Sequence, residues 1–306
     1  MSDLKLPNLI IGGVHKAGTT SVYTYLSQHP EICASLRKEI GFFMPLRYGK
    51  SIPPLDEYAS YFSQCASDKK YRLEASPSYM YGVEKIGSVL KKELKNLKLI
   101  IILRDPVDRL NSFFESEHSN GFLPVNESFN EFILKSFDYS KLQNPERTKE
   151  NELYIRGFDE GLYVKYLPYW IDAFGDDLKI IFYEELKNDS VSFMKDVCDW
   201  LEIDFSFYKP EDFIVENKTL KYKNRKLHGI LYKFYMNIEW FWRKNIFFKR
   251  MLRTFYRKLN ASSDKRSLSE QDRKHVESLY AQSNLQLKEV LLKAGYKFLP
   301  NWLNKP

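Results

Sequence analysis

Residues 8–21 read Asn8-Leu-Ile-Ile-Gly-Gly-Val-His-Lys-Ala-Gly-Thr-Thr-Ser21. An apolar run typical of a buried strand leads into a short loop with one lysine, and a helical pattern begins at the threonines. The first amides of a helix have no partners within the helix, so a loop of this kind points them at a bound phosphate. The helix dipole and a concave nest of loop amides add to the attraction for negative charge. The stretch therefore predicts an anion-binding loop at the edge of a parallel sheet.

Two interpretations of this loop compete. Gly13 and Gly18 have the glycine spacing of a Walker A loop, G-x-x-x-x-G-K-[ST], but Thr19 stands where the Walker lysine belongs. The lysine of this loop is Lys16, two residues before the second glycine. An ordinary strand-to-helix turn without a ligand is the plain alternative.

The order Lys-x-Gly-Thr-Thr at the head of a helix resembles the 5′-phosphosulfate loop of sulfotransferases that use 3′-phosphoadenosine-5′-phosphosulfate (PAPS). This resemblance implies that Lys16 contributes to catalysis as well as binding, and that His15 shapes the loop. The resemblance assigns the 5′ end of the nucleotide to a continuous set of residues: His15, Lys16, Ala17, Gly18, Thr19, Thr20 and Ser21.

A second motif follows the clearest buried strand of the chain, 98–103, a continuous apolar run. Ligands of open α/β sheets bind beyond the carboxyl ends of the strands, so Arg104 is expected to face one. The order Arg-Asp-Pro-x-x-Arg-x-x-Ser looks like the 3′-phosphate motif of the same family, which implies that Arg104 and Ser112 hold that phosphate. A guanidinium matches paired phosphate oxygens well. The alternative is an Arg–Asp pair that caps a helix, which applies most to Asp105 and Arg109.

The candidate general base is Glu39, which precedes Phe42 and Phe43. On composition alone, a glutamate beside a lysine is a solvated surface charge. The segment resembles the Glu-x-x-Phe-Phe segment of heparan-type sulfotransferases, whose glutamate is the general base, and this implies the same role for Glu39. His118 is the spare candidate, because other branches of the family use histidine.

One departure from the heparan-type pattern concerns the acceptor. These enzymes often carry Glu-Lys-Ser-Pro after the second strand, and here Ala75 replaces the lysine between Glu74 and Ser76. The departure weakens the case for a sulfated glycan. Further along, Arg225 lies in a basic loop where the family closes over the adenosine. The segment 228–259 is basic and aromatic; we expect it to pack on the domain, with contact to a membrane surface as the alternative.

The alternation of strands and helices predicts an α/β fold, with a doubly wound parallel sheet, flanking helices and P-loop-NTPase-like topology. We expect one domain over 1–306, with a core at 7–205 and a C-terminal helix at 269–293. Residues 158–174 have the pattern of one helix. Residues 121–151 are polar and are expected to form a surface excursion.

Composition narrows the functional classes further. The net charge is +7 in 306 residues, and no nucleic-acid-binding motif accompanies it, so nucleic acid is not expected as a partner. The three cysteines lack C-x-x-C spacing, which argues against a disulfide scaffold and a zinc site. No signal segment or membrane-spanning run stands out, so a cytoplasmic protein is expected. The sequence does not determine the oligomeric state.

Together these patterns predict a PAPS-dependent sulfotransferase. It would transfer sulfonate in line to a hydroxyl of a carbohydrate, a lipid or a small natural product, with a glutamate base and without a metal, and release 3′-phosphoadenosine-5′-phosphate (PAP). A P-loop kinase or NTPase is the first alternative; Arg104 would then intrude into a Walker B strand at 99–105. A non-catalytic nucleotide-gated or membrane-surface protein is the second, and only 228–259 supports it.

Overall fold

The computed structural model describes residues 4–142, 147–148, 151–213, 221–222, 261–262 and 268–304. The chain divides into two compact units. The sheet unit comprises Met1–Arg109, Leu162–Glu216 and Tyr280–Pro306, and the helical unit comprises Leu110–Gly161 and Asn217–Leu279. The sequence predicts one domain over 1–306, which includes both units, and this single domain stays a prediction.

The sheet unit is built on five parallel strands in the order β2-β3-β1-β4-β5. Four of the five strands are mostly buried and mainly apolar, as expected where helices flank a parallel sheet, whereas only Ile32 of the short edge strand β2 is buried. From β1 the chain first builds one side of the sheet and then the other, so the order reverses at β1, and ligands of such sheets bind beyond this reversal. The strands are β1 Leu9–Gly13, β2 Ile32–Ala34, β3 Tyr71–Ala75, β4 Lys98–Leu103 and β5 Leu178–Phe182.

Helices connect the strands, as the alternating pattern predicts. Within the sheet unit α4 packs against α8, and the Trp170 indole of α8 donates a hydrogen bond to the Met80 carbonyl at 2.8 Å. A two-residue antiparallel pair joins Lys221–Tyr222 to Ala261–Ser262. The described helices are α1 Thr19–Leu26, α2 Met44–Arg47, α3 Leu55–Ser60, α4 Val83–Glu93, α5 Pro106–Ser119, α6 Phe129–Lys141, α7 Glu152–Asp159, α8 Leu167–Phe174, α9 Tyr183–Asn188, α10 Ser190–Leu201 and α11 Glu270–Lys293.

Two sequence expectations about helices are wrong. The single helix expected at 158–174 is two helices, α7 and α8, separated by a 3₁₀ turn at Tyr163–Lys165. Pro168 favours a new helix start there, because proline is tolerated only in the first turn. The polar excursion at 121–151 contains α6, whose N-terminus has a capping box between Ser128 and Glu131. That spacing was a usable helix signal.

The cysteine expectation is also wrong in one respect. Cys33 and Cys65 form a disulfide with a Cα–Cα distance of 5.7 Å. The pair has no sequence signature, because it depends on the meeting of β2 with the segment that follows α3. Cys198 is buried in the core, as its position in an amphipathic pattern predicts, and burial raises the pKa of its thiol to about 12. Among the described residues, no helix has the length and apolar character needed to cross a membrane.

Candidate functional site

The loop between β1 and α1 has the tight geometry that the sequence predicts. Lys16 and Gly18 both have left-handed backbone conformations, with φ of 69° and 81°. A Cβ at Gly18 would lie 2.9 Å from the Tyr183 ring, so glycine is required there on two grounds. Three loop residues are buried, Val14, Ala17 and Thr19. Three others, His15, Lys16 and Thr20, are half-buried. Ser21 is buried in the first turn of α1.

His15 joins this loop to the segment after β3. Its Nε2 atom lies 2.6 Å from the Ser78 hydroxyl oxygen, within hydrogen-bond distance. The contact fixes the ring orientation beside Lys16, which agrees with a role for His15 in shaping the loop. Ser78 was not singled out from the sequence, although it stands two residues after the Glu-Ala-Ser stretch that was.

The structure brings Glu39 to the same loop. Its backbone has a left-handed φ of 59°, and its amide donates to the Ala75 carbonyl at 2.9 Å. Its carboxylate pairs with Lys38 at 2.6 Å, and 57% of the side-chain surface remains accessible to solvent. The candidate base is therefore reachable from solvent while its backbone is tied to the end of β3.

The electrostatics of Glu39 connect it to the loop. Desolvation by surrounding protein raises the pKa of this carboxyl, but the positive charges of Lys38, His15 and Lys16 outweigh that effect and leave the pKa below its ordinary value. Two of these three charges belong to the anion-binding loop. Glu39 is thus ionised at neutral pH and can accept a proton beside the loop.

Arg104 links the second motif to the first. It follows β4, and its Nη1 donates to the Lys16 carbonyl at 2.7 Å. The guanidinium lies over the Tyr183 ring at 4.5 Å, and the Tyr163 hydroxyl donates to the Arg104 carbonyl at 2.9 Å. The two predicted nucleotide motifs therefore meet in the sheet unit, at the carboxyl ends of β1 and β4.

The Arg104 Nε atom is buried and has no hydrogen-bond partner among the described residues. A buried donor left unpaired is costly, so it is usually satisfied by a ligand or an ordered water. A phosphate placed there would satisfy it with a charge-assisted bond. The residues present therefore fit the 3′-phosphate of a nucleotide at this position.

Asp105 has the capping role that the plain interpretation assigned to it. Its Oδ1 accepts from the Val107 amide at 2.8 Å and the Asp108 amide at 3.4 Å, at the start of α5. Its own amide donates to Glu184 Oε1 at 3.0 Å. Arg109 is fully buried. Its amide donates to the Asp105 carbonyl at 2.8 Å within the first turn of α5.

The other candidate residues either belong to the helical unit or lie outside the described residues. Ser112 and His118 belong to the helical unit, where Ser112 is half-buried and His118 is buried. The His118 Nε2 lies 3.1 Å from the Val125 carbonyl oxygen, and its ring stacks on Phe114 with centroids 5.3 Å apart. Their functional roles stay predictions. Arg225 and the segment 228–259 lie outside the described residues.

Sequence reasoning missed Tyr183, which contacts both motifs. The Arg104 guanidinium lies over its ring, and the same ring leaves no room for a Cβ atom at Gly18. The signal was available, because Tyr183 directly follows β5 as Arg104 directly follows β4. The same rule about carboxyl ends of parallel strands applies to both residues.

Comparison with known proteins agrees with this geometry. The fold is that of an α/β protein with P-loop-like topology, and residues 6–286 match the model of the sulfotransferase domain. The chain belongs to the sulfotransferase domain family, whose enzymes use PAPS as the sulfonate donor.

Individual curated relatives share roughly a quarter to a third of their aligned residues with this chain, as two examples show. The chain is 36% identical over 155 residues to the membrane-associated sulfotransferase kil1 of Dictyostelium discoideum, which covers 48% of this chain and 32% of that protein. It is 24% identical over 318 residues to the bifunctional heparan sulfate N-deacetylase/N-sulfotransferase of Drosophila melanogaster, covering 97% of this chain and 27% of that protein. The chain thus spans less than a third of the length of these relatives.

A solved structure confirms the fold. The sulfotransferase from Alicyclobacillus acidocaldarius superposes with a TM-score of 0.64 at 21% identity, covering 97% of this chain and 98% of that chain. The expected doubly wound parallel sheet with P-loop-like topology is therefore confirmed, together with the sulfotransferase assignment of the family.

Proposed function

We propose that this chain transfers sulfonate from PAPS to a hydroxyl group of an acceptor, with Glu39 as the general base. The observation that carries the proposal is the position of Glu39 at the carboxyl end of β3, where its amide donates to the Ala75 carbonyl; β3 pairs with β1, the strand that leads into the Lys16 loop. Arg104 reaches the same loop through the Lys16 carbonyl. PAPS, when bound, supplies the sulfonate group and leaves as PAP.

Each residue has a defined task in this proposal. Glu39 accepts the proton of the acceptor hydroxyl, for which an ionised, solvent-accessible carboxylate is suited. Lys16 and the amides at the start of α1 stabilise the negative charge that develops near the loop. Thr19, Thr20 and Ser21 lie in the first turn of α1 and hold the 5′-phosphate. Arg104 holds the 3′-phosphate through its unpaired Nε.

The acceptor is proposed only as a class. A carbohydrate, a lipid or a small natural product with a hydroxyl group fits a carboxylate base. The named relatives include a heparan sulfate N-sulfotransferase, but Ala75 removes a cation from the Glu-Ala-Ser-Pro stretch. Fewer cations beside the base favour an acceptor of lower negative charge than a sulfated glycan.

The location of the protein stays a prediction. The cytoplasm is the location expected from the sequence, but the Cys33–Cys65 disulfide argues against it, since disulfides persist mainly in oxidising compartments. A relative described as membrane-associated covers half of this chain. We propose an oxidising compartment, which a count of the free thiols in protein from its native source tests.

Transfer from ³⁵S-labelled PAPS to a panel of sugars, lipids and small alcohols tests the function directly. We expect product with one acceptor class, retained in excess EDTA because Lys16 and the loop amides supply the positive charge. Lys16→Ala should reduce turnover by roughly 10²-fold, as when a preorganised charge stabiliser is lost. Loss in EDTA and recovery with Mg²⁺ would favour the kinase alternative.

Nucleotide preference tests the 3′-phosphate site without an acceptor. PAP should bind roughly 10- to 100-fold more tightly than adenosine 5′-monophosphate, as one charge-assisted bond predicts. Arg104→Ala should abolish most of this preference and weaken the monophosphate only a few-fold, through the lost bond to the Lys16 carbonyl. Arg104→Lys, which keeps the charge but lacks Nε geometry, is the matched variant. Calorimetry showing tighter binding of Mg²⁺–ATP than of PAP would exclude the proposal.

A further inference from the structure

A buried carboxylate belongs to the residue before Ala75, whose carbonyl accepts from the amide of the candidate base. Glu74, in β3, has no exposed surface, and three hydroxyl groups donate hydrogen bonds to it. Ser76 and Tyr79 donate to Oε1, the latter at 3.1 Å, and Tyr58 donates to Oε2. Both carboxylate oxygens act as acceptors in these bonds, so all three hydroxyl protons point toward Glu74.

Two of these hydroxyl groups also accept hydrogen bonds from backbone amides that follow Glu39 in the chain. Since its proton is committed to Glu74, the Ser76 hydroxyl accepts from the Gly41 amide at 2.9 Å. In the same way the Tyr79 hydroxyl accepts from the Phe43 amide at 3.3 Å. The third donor, Tyr58, stacks on the Phe42 ring with centroids 4.3 Å apart. Each of the three residues 41–43 is thus contacted by one of the donors to Glu74.

We propose that Glu74 is a positioning residue for Glu39, acting through Ser76 and Tyr79; this rests on the proposed function of Glu39 as the base. Glu39 has a left-handed backbone conformation, which a residue other than glycine adopts only when its surroundings hold it there. The Glu39 amide is bonded to Ala75, the residue between Glu74 and Ser76. The segment that carries the base is therefore hydrogen-bonded to the end of β3 at two points, the Glu39 amide to Ala75 and the Gly41 amide to Ser76.

The alternative is that Glu74 only stabilises the core. A buried carboxylate with three donors does contribute to stability, and burial raises its pKa while the bonds from Ser76, Tyr58 and Tyr79 lower it, leaving it above the ordinary value. The two roles differ in where a perturbation is felt. Loss of a positioning role is local to 39–43 and to the base, whereas loss of a core role spreads through the unit.

Glu74→Gln tests the inference, because it keeps the shape and replaces one acceptor by a donor. Hydrogen exchange followed by NMR is the first measurement and needs no acceptor. The amides of Gly41 and Phe43 should exchange roughly 10-fold faster or more, while those of Ile10 and Ile11 in β1 stay unchanged. Glu127→Gln removes another buried carboxylate, bonded by Tyr154 and Lys135 in the helical unit, and should leave the exchange at 41–43 unchanged.

Kinetics with PAPS is the second measurement. Glu74→Gln should lower kcat roughly 10- to 100-fold by misplacing the base, with PAP affinity unchanged. In a Glu39→Gln background the same change should have no further effect on kcat, because the residue through which it acts is gone. Independent losses that multiply, or a parallel loss of PAP affinity, would overturn the proposal.

If Glu74→Gln fails to fold, Ser76→Ala and Tyr79→Phe remove one connection each. Ser76→Ala should release the Gly41 amide and Tyr79→Phe the Phe43 amide, each without the other. Unchanged exchange at both amides would overturn the inference even in an active enzyme. Absence of transfer in the wild type, with exchange behaving as expected, would count against the proposed function of Glu39 and not against the fastening by Glu74.

Discussion

At the scale of single residues, the least conspicuous side chain of the site carries the proposed chemistry. Glu39 is exposed and pairs with the adjacent Lys38, and most such surface pairs contribute little to stability. What distinguishes it is the backbone, which is held in a left-handed conformation and bonded to Ala75. Composition alone favours a surface charge, whereas the resemblance to a family segment implies a general base, and that role stays a prediction.

The pH dependence of the rate tests this residue. Glu39 must be deprotonated to act as a base, so activity is present above its pKa and is lost as the pH falls through it. Because Lys38, His15 and Lys16 hold the pKa below its ordinary value of 4.5, the acid limb of kcat/KM should lie below pH 4.5. Lys38→Met removes one of these charges and should move the acid limb to higher pH.

The control for that experiment is Lys92→Met. Lys92 also pairs with the glutamate that follows it, at 3.3 Å, but on α4. Its loss should leave the acid limb in place. An unchanged profile in Lys38→Met would mean that the limb reports another group, with His118 the next residue to examine.

The site residues show what a sequence can supply at this scale. Lys16 and Arg104 follow from motifs whose spacing reflects a loop and a strand end. Glu74 was noticed only as part of a stretch that departs from the family pattern. Its environment of Tyr58, Ser76 and Tyr79 depends on side chains that meet only after folding, and no spacing rule predicts such a network.

At the scale of elements, strands that are long apolar runs were predicted closely. β4 has the bounds that the sequence indicates, because the five consecutive apolar positions 99–103 leave little choice. β2 has only three residues and was not expected. Its pairing with β3 depends on tertiary contacts, which a pattern of three residues does not predict.

The junction of β4 and α5 offers a test of how an element positions a ligand-binding side chain. Asp105 caps α5, and it lies between Arg104 and the helix. Asp105→Ala should cost about 1 kcal/mol of stability, as for an N-cap, and should weaken PAP because Arg104 loses its fixed backbone. Denaturant unfolding and PAP calorimetry measure the two effects.

Asp189→Ala is the matched control. Asp189 caps α10 in the same manner, accepting from the Val191 and Ser192 amides at 3.1 and 3.0 Å, but it is exposed and follows α9. The stability cost should be similar, and PAP affinity should not change. Equal effects of the two variants on PAP would mean that capping acts on the nucleotide only through global stability.

At the scale of the whole molecule, the sequence predicted the family and the doubly wound sheet, whereas the single domain expected over 1–306 stays a prediction. The reversal of strand order at β1 follows from the position of the anion loop after the first strand. The separation of 110–161 and 217–279 into a second compact unit has no comparable signal. Local periodicity carries no information about which separate stretches of a chain form one compact unit.

The disulfide is the whole-molecule feature that bears on where the protein works. It closes a span of 32 residues that contains both the Glu39 segment and α3 with Tyr58. Protein taken from its native source should therefore show one free thiol per chain, that of Cys198, when unfolded without reductant. Three free thiols would support the cytoplasmic expectation instead.

Closing a loop of 32 residues is expected to stabilise the fold by about 3–4 kcal/mol, on a chain-entropy estimate. The double substitution Cys33→Ser with Cys65→Ser should accordingly lower Tm by roughly 5 °C for a chain of this length. Reductant should lower the Tm of the wild type to the same level and leave the variant unchanged, because only the wild type has a bond to lose. The acid limb and PAP affinity should persist in the variant, since Glu74 and its donors hold the Glu39 segment independently of the disulfide. A variant that keeps its Tm but loses transfer would show instead that the disulfide, and not the buried carboxylate, fixes the base.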